Sequence, residues 1–141
     1  MTRIAQIIVA AGKGARLGST IPKQYHKLAG KLLIEHTISA MNSTDLIDET
    51  IIVVAKKDKF ISDIINRYKN IRIVIGGDTR AKSSLAGLLS LSNKPPDIVL
   101  IHDAARPFVS KSTVVDIISN LKENTAVAPA LPVVNALKTI D

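Results

Sequence analysis

The chain of 141 residues is long enough for one domain with a buried core, and it contains no cysteine, which excludes disulfides, thiolate metal sites and cysteine nucleophiles. Nineteen Lys and Arg against twelve Asp and Glu give a net charge of +7, which favours anionic partners such as nucleotides or phosphorylated metabolites. The cations are scattered and only 3% of the residues are aromatic, so no nucleic-acid partner is expected. The apolar runs are too short to span a bilayer, so we expect no membrane partner and a cytoplasmic location.

Short β-branched runs alternate with segments of helical period along the chain. The first run, 4–10, leads into a glycine-rich segment, so we interpret it as a buried strand and not as a signal peptide. We predict strands at 4–10, 50–55, 71–76, 97–102 and 125–134, and helices at 33–42, 58–69, 80–91 and 110–122, the last capped by Ser110 or Ser112. The strands are almost continuously apolar, which is typical of a parallel sheet covered on both faces. The pattern predicts a single α/β domain over residues 1–141, with right-handed crossovers.

Three polar or glycine-bearing segments follow predicted strands. They are AAGKGARLG at 10–18, GGDTR at 76–80 and DAARP at 103–107. In sheets of this kind, ligands bind beyond the carboxyl ends of the strands. We therefore expect the three segments to meet at one edge of the sheet and to form a single site.

The first of these segments is a glycine loop with positive charges. Gly12, Gly14 and Gly18 match neither the Walker A spacing nor the dinucleotide fingerprint, so the sequence favours neither of those classes. What remains is a loop whose N–H groups can surround a phosphate chain, with Arg16 and Lys23 supplying charge. An ordinary tight turn is the alternative interpretation.

The other two segments carry candidate ligands at strand ends. Asp103 is well placed to hold a Mg²⁺ ion that bridges phosphate oxygens, and a cap on the next turn is its alternative role. Arg106 is expected to pair with Asp103 or with a ligand, whereas His102 is interpreted as a packed strand-end residue. In GGDTRAKSS, Asp78 and Ser83 stand at a strand-to-helix junction whose amides suit a base edge or a phosphate, or else form a capped turn.

Taken together, four stretches resemble, in order, the motifs of the 2-C-methyl-D-erythritol 4-phosphate cytidylyltransferase family. They are VAAGKGARLGSTIPKQYHKLAGKLLIEHTI, GGDTRAKSSLAGL, VLIHDAARPFV and PVVNALK. The resemblance implies a Rossmann-like nucleotidyltransferase fold, with a mostly parallel twisted sheet flanked by helices. It also implies cytidylyl transfer from CTP to 2-C-methyl-D-erythritol 4-phosphate with release of pyrophosphate, Mg²⁺ as the cofactor, a homodimer and a place in non-mevalonate isoprenoid synthesis.

The same resemblance implies roles for residues at matching positions. Arg16 and Lys23 match the catalytic pair that stabilises the transition state, Asp103 matches the residue that holds Mg²⁺ and substrate, and Arg106 is assigned to the substrate. The residues assigned to the nucleotide are Ala10, Ala11, Gly12, Lys13, Gly14, Gly18, Gly77, Asp78, Arg80 and Ser83. Because the acceptor is already a phosphate oxyanion, no general base is required, and positioning with fixed positive charge is expected to carry catalysis.

The chain also departs from the family pattern. The differing positions are Leu32, Lys82, Ser84, Asn135 and Ala136, of which the last two lie near the second substrate in the family. Family members are considerably longer, so we expect the chain to stop before the dimerisation arm and to be a poor catalyst alone. Two alternatives remain: a cytidylyltransferase for another polyol phosphate, such as ribitol 5-phosphate, and a nucleotide-binding module without activity.

Overall fold

A parallel sheet of four strands forms the centre of the computed structural model, which describes residues 1–12, 18, 20–68 and 70–132. In chain order the elements are β1 (Ile4–Val9), β2 (Lys27–Leu28), β3 (Lys31–Leu32), α1 (Leu33–Met41), β4 (Glu49–Val54), α2 (Ser62–Ile65), β5 (Ile71–Ile75), α3 (Arg80–Leu89), β6 (Ile98–Asp103) and α4 (Lys111–Asn120). A 3₁₀ turn at Lys23–Tyr25 precedes β2. The sheet order is β5-β4-β1-β6, so the predicted α/β class is confirmed.

The first strand lies in the middle of the sheet and pairs on both sides. Ile7 of β1 is level with Ile51 of β4 on one side and with Ile101 of β6 on the other. Ile7 and Ile8 are both fully buried, because helices cover both faces of a parallel sheet. This double burial explains why β1 is an almost unbroken apolar run and not an alternating one.

The helices pack on both faces of the sheet. On one face, Ile8 and Ile52 form a cluster with Ile34 of α1 and Ile64 of α2, and α4 packs beside them near β6. On the other face, α3 contacts β1, β4 and β5. The approach of α3 is close enough that Gly87 leaves no room for a side chain.

Two helices begin at hydroxyl caps. The Thr79 side chain accepts a hydrogen bond from the Lys82 N–H at 3.1 Å at the start of α3. Ser110 does the same for the Thr113 N–H at 3.1 Å at the start of α4, as one of the two predicted caps. Both caps satisfy donors that would otherwise lack partners in the first helical turn.

The second helix is much shorter than predicted. The helical period predicts a helix at 58–69, whereas α2 covers only Ser62–Ile65. Asp58 Oδ1 accepts the N–H groups of Phe60 and Ile61 at 2.9 and 3.0 Å, as a cap does for donors that a first helical turn leaves unpaired. After α2 the backbone closes in bonds of three residues, from the Arg67 N–H to Ile64 and from the Tyr68 N–H to Ile65, both at 3.1 Å, so the α-helix does not continue.

The predicted strand at 125–134 is wrong over the part that the structure describes. Residues 125–132 form no strand, and residues 133 and 134 lie outside the described ranges. Pro129 and Pro132 have no N–H to donate to a ladder, which disfavours a strand here. The segment 125–129 lines one side of an apolar groove with β6 and α4 instead of extending the sheet.

A small hairpin was not predicted. β2 and β3 pair antiparallel through a turn in which Ala29 and Gly30 have φ of 48° and 82°. Two consecutive positive φ values match the twist of a two-residue hairpin. Ala at the first of these positions is unfavourable, which is why the sequence carries no strong turn signal here.

Within the described residues, no helix is both long and apolar enough to cross a membrane.

We expect Gly87→Ala to destabilise the fold, although alanine favours helices over glycine by about 1 kcal/mol. A Cβ at this position would lie 2.7 Å from Ile7 Cγ2 and 3.1 Å from Val53 Cγ2. Overpacking of this kind costs about 1–3 kcal/mol, so the free energy of unfolding in urea should fall. The matched control is Ala81→Gly, the opposite exchange at an exposed site of α3, which should cost about 1 kcal/mol by propensity alone. A stabilised Gly87→Ala variant would contradict the close approach.

Candidate functional site

Backbone hydrogen bonds continue the parallel pairing beyond the strand ends. They join the first residue of each loop to a neighbouring strand: the N–H of Ala10 to the Val53 carbonyl (2.7 Å), Gly76 to Val54 (2.8 Å) and Ala104 to Val9 (3.0 Å). Because each bond fixes the start of a loop against the next strand, the three loops begin at one edge of the sheet. The predicted convergence of these segments is therefore confirmed.

A cavity of about 710 Å³ opens at this edge and brings most of the predicted site residues together. Its walls include Ala10, Ala11, Gly12, Lys23, Gly77, Asp78, Arg80, Ser83 and Asp103. Arg106 lines an adjoining pocket with His102, and it contacts Asp103 through an ion pair.

Besides Arg106, one described site residue lies outside this lining, and three others are not among the described residues. Gly18 lies outside the lining and has a φ of +62°, a left-handed conformation that favours glycine. Lys13, Gly14 and Arg16 lie outside the described residues, as do Asn135 and Ala136. Their assignments stay predictions.

The cavity has its shape because a glycine lies between strand and helix. A Cβ at Gly76 would lie 2.7 Å from Ser83 Oγ, 2.8 Å from Val53 Cγ1 and 3.0 Å from Ala11 Cβ. Ser83 is itself only 1% exposed, and its hydroxyl donates to the Gly77 carbonyl at 3.3 Å. This end of the cavity is therefore lined by backbone and small side chains.

The other end of the cavity contains a carboxylate between two arginines. Asp103 Oδ1 accepts from Arg80 Nε at 2.8 Å, and Asp103 Oδ2 pairs with Arg106 Nε at 3.0 Å. Arg80 begins α3 and Arg106 follows β6, so the carboxylate joins two of the three loops. Both arginines are more than half exposed, so their other guanidinium donors face solvent and are free to meet an anion.

Two further lysines lie at the rim. Lys82 pairs with Asp78 at 2.8 Å, one helical turn apart, and both side chains are largely exposed. Lys56 follows β4 and lines the same cavity. The sequence analysis missed Lys56, although its place directly after a buried strand is the same signal that identified Asp103.

Lys23 reaches the cavity from a short turn and not from a strand end. Pro22 precedes the 3₁₀ turn with φ of −59°, and Lys23, Gln24 and Tyr25 form the turn. Gln24 is 5% exposed, and its Nε2 donates to the carbonyl of Ala10 at 2.5 Å and to that of Gly12 at 3.1 Å. The sequence analysis quoted Gln24 within PKQY without assigning it a role.

Tyr25 anchors the same turn on its other side. Its hydroxyl donates to Asp58 Oδ2 at 2.6 Å, and its ring stacks on Phe60 with centroids 4.8 Å apart. Burial, followed by the hydrogen bond and the charge of Asp58, raises the pKa of Tyr25 well above its usual value of 10.0. The loop after β4 is therefore fastened to the turn that carries Lys23.

A parallel α/β sheet with a cavity at its carboxyl edge, lined by small residues and by cations, is the arrangement of the nucleotide-binding class of this fold. The chain belongs to the 2-C-methyl-D-erythritol 4-phosphate cytidylyltransferase family, whose model matches residues 4–141. The predicted family resemblance is thereby confirmed. The structural neighbours also confirm the predicted Rossmann-like nucleotidyltransferase fold.

Relatives in sequence bear this family's name. The chain is 43% identical over 138 residues to a 2-C-methyl-D-erythritol 4-phosphate cytidylyltransferase of Clostridioides difficile, covering 95% of the chain and 58% of that protein. It is 38% identical over 139 residues to a bifunctional enzyme IspD/IspF of Paramagnetospirillum magneticum, covering 98% of the chain and 36% of that protein. The chain thus spans between about a third and three fifths of the curated relatives it matches.

Solved structures agree. A crystal structure of 4-diphosphocytidyl-2C-methyl-D-erythritol synthase superimposes with a TM-score of 0.86 at 25% identity, covering all of this chain and 65% of that one. The corresponding synthase of Anaerococcus prevotii superimposes with a TM-score of 0.75 at 34% identity, covering 87% of this chain and 52% of that one.

We expect Tyr25→Phe to lower stability at neutral pH and to lose less stability than the wild type in alkali. The raised pKa keeps Tyr25 protonated in the folded state, while the unfolded chain loses this proton above pH 10.0. The stability that Tyr25 contributes is therefore present below that pH and falls above it, by up to about 1.4 kcal/mol per pH unit.

The measurement is urea unfolding of both proteins between pH 8 and pH 11. The two proteins differ only at residue 25, so the difference between their free energies of unfolding isolates the Tyr25 hydroxyl. A gap that stays constant across this range would show that the hydroxyl is not held as described.

Proposed function

We propose that this chain transfers the cytidylyl group of CTP to 2-C-methyl-D-erythritol 4-phosphate and releases pyrophosphate. Family membership supports this, and the observation that carries it is the cavity at the strand ends, whose lining combines small residues with cations. A nucleoside triphosphate combines a flat uncharged base with a polyanionic tail. The proposal places the base beside the small residues and the phosphates at the cationic end.

The part of the cavity that is lined by small residues suits a pyrimidine. Gly76 and Gly77 leave the strand-to-helix junction without side chains, and Ser83 and Asp78 stand beside it with a hydroxyl and a carboxylate. Backbone groups and such side chains can read the donor and acceptor pattern of a base edge. In this proposal Ala10 and Ala11 border the base and ribose.

The cationic end suits the reacting phosphates. Lys23, Lys56 and Arg80 line it, and Arg106 lies next to it on Asp103. The acceptor oxygen is already an anion, so the residues need only hold two anions in line and neutralise the charge that develops on the α-phosphoryl group. We propose Lys23, together with Arg16 from the glycine loop, for the second task.

Mg²⁺ is part of the proposal, and the residues present fit it. Within the described residues no group of three or more metal-ligating side chains occurs. Asp103 would be the protein ligand, with water and phosphate oxygens completing the shell, which is how Mg²⁺ usually binds nucleotides. Each Asp103 oxygen contacts one arginine, and each keeps a second lone pair with which it could bind the ion. When bound, the ion supplies charge neutralisation between phosphate oxygens.

The homodimer and the cytoplasmic location expected from the family resemblance are proposals too. Their support is the membership of the family alone. Sedimentation equilibrium of the purified chain tests the dimer directly.

We expect CTP with Mg²⁺ to raise the melting temperature more than ATP, GTP or UTP does. A ligand that binds only the folded state adds about 2.7 kcal/mol of stability at a hundred times its Kd. The cytosine-reading groups are Asp78, Ser83 and the backbone beside them. Equal shifts with all four nucleotides would refute the cytosine assignment.

The acceptor is tested in the same preparation under single-turnover conditions, with protein in excess so that slow transfer is still measured. Pyrophosphate release should depend on 2-C-methyl-D-erythritol 4-phosphate. Faster release with ribitol 5-phosphate would transfer the proposal to the other polyol phosphate. Tight CTP binding without release for either alcohol would support a binding module without activity.

We expect Lys23→Ala to slow cytidylyl transfer by about 10²–10³-fold while changing the Kd of CTP much less. A fixed cation aimed at developing charge acts mainly in the transition state, so the loss should be in the rate of the bound complex. The matched control is Lys27→Ala, which removes the same charge four residues away, on exposed β2. An unchanged rate with a weakened Kd would make Lys23 a binding residue only.

A further inference from the structure

Gln24 is a buried amide placed between the proposed catalytic lysine and the start of the glycine loop. It follows Lys23 in the 3₁₀ turn and is 5% exposed. Its single Nε2 group donates to two carbonyls, that of Ala10 at 2.5 Å and that of Gly12 at 3.1 Å. Both amide protons are thereby used, and the two acceptors flank Ala11.

These two bonds set the direction of the backbone where the loop leaves β1. The Ala10 N–H is already bonded to Val53, so with Gln24 on its carbonyl Ala10 is fixed on both sides. In a trans peptide the C=O and N–H groups point in opposite directions, so the N–H of Ala11 points away from Gln24. The loop therefore enters its phosphate-binding segment from a backbone whose orientation a side chain determines.

The same side chain connects the loop to Lys23. Lys23 and Gln24 are consecutive in a turn that Tyr25 fastens to Asp58, so the turn is held on one side by the β4 loop and on the other by the glycine loop. The backbone of Lys23 cannot shift relative to Ala10 and Gly12 without breaking the Gln24 bonds. One side chain therefore connects the turn that carries the cation to the first residues of the loop.

We propose that Gln24 is a positioning residue for the phosphate chain. Its amide fixes the position of Lys23 relative to the first residues of the glycine loop, so that loop and cation bind the same phosphates. The proposal rests on the proposed function, since it needs a polyphosphate ligand in the cavity. It predicts that Gln24 contributes much more to the phosphate part of binding, through Gly12 and Lys23, than to the nucleoside part that Ala10 and Ala11 border.

A purely structural role of Gln24 would affect the stability of the fold but not the binding of phosphate. Satisfying two buried carbonyls stabilises a fold by itself, because a buried acceptor without a partner is costly. The chain offers a matched control in Gln6, which is also fully buried and also donates from Nε2 to two oxygens, of Asn42 and Thr50. Gln6 lies near the opposite end of β1 and outside the cavity lining.

The experiment compares Gln24→Met with Gln6→Met by calorimetric titration with CTP, tripolyphosphate and cytidine. Both variants should melt at lower temperature. Only Gln24→Met should lose affinity for CTP and tripolyphosphate, by about tenfold or more (about 1.4 kcal/mol), while its affinity for cytidine stays within about twofold. Single-turnover transfer at saturating CTP should also fall in Gln24→Met, since Lys23 is no longer held in register. Equal losses for CTP and cytidine, or the same pattern in Gln6→Met, would overturn the proposal.

A second measurement uses the wild type, so it does not depend on the folding of a variant. Nuclear magnetic resonance follows hydrogen exchange of the two Gln24 amide protons, with the Gln6 amide as the internal reference. Tripolyphosphate should slow exchange at Gln24 and leave Gln6 unchanged. Unchanged or faster exchange at Gln24 in the complex would refute this role of Gln24.

The two proposals fail in different ways. A wild type that binds tripolyphosphate but shows no preference for CTP loses the cytidylyl assignment, while the Gln24 test proceeds with tripolyphosphate. A wild type that prefers CTP, with a Gln24→Met variant that binds phosphates normally, keeps the proposed function and loses the role of Gln24. A wild type that binds neither ligand refutes both.

Discussion

The parallel pairing of β1 with both of its neighbours is the constraint on which the site depends. The pairing does not stop at the strand ends, because Ala10 and Ala104 each add one more backbone bond at the same edge. A loop that begins with a fixed residue leaves the sheet in a fixed direction, whatever its later residues do. The three loops therefore need no long-range contacts of their own to start together. What each loop adds is chemistry: backbone amides, a carboxylate or a cation.

Small residues then decide that the space between the loops is a cavity and not a core. Gly76 lies so close to Ser83 and Val53 that a methyl group would force a shift, and Ala10 and Ala104 are each 2% exposed. These positions bring backbone close to backbone while leaving the space above them open to a ligand. The same principle acts one turn further along the same face of α3, where Gly87 lets the helix approach Ile7. Close helix packing and an open cavity thus both depend on glycines, one before α3 and one within it.

The sequence predicted the elements whose physics is local and missed those that depend on competition between partners. Strands β1, β4, β5 and β6 are rich in β-branched apolar residues, which is typical of a parallel sheet, and a serine cap at Ser110 or Ser112 is readable from the residue type. The short α2 was not readable from the helical period, because the backbone after it closes in bonds of three residues, at Ile64 and Ile65, and not of four. Nor was the second role of Asp58, which accepts from the Tyr25 hydroxyl 33 positions away in the chain. Gln24 was missed for a similar reason: a glutamine in a turn is ordinary, and only the fold shows that it meets the end of β1. Residues 125–132 have strand-like composition, but two prolines without N–H donors leave them outside the sheet.

The charges around the cavity are arranged before any ligand arrives. Among the described lining residues, Lys23, Lys56 and Arg80 carry three positive charges, against two negative charges on Asp78 and Asp103, which leaves one net positive charge. The net charge alone understates how well the cavity can attract an anion. Each carboxylate also pairs with a cation and holds that cation in place beside the cavity. Asp103 keeps Arg80 and Arg106 about one carboxylate apart, at 2.8 and 3.0 Å from its two oxygens. A polyanion that enters the cavity offers both arginines more oxygen atoms than one carboxylate does, and so it can bind them in place of the carboxylate. Because the two side chains are already held together, the entropy cost of ordering two flexible cations is smaller. On this view the carboxylate prepares the site for an anion: it holds positive charge at the point where, in the proposed reaction, negative charge has to be neutralised.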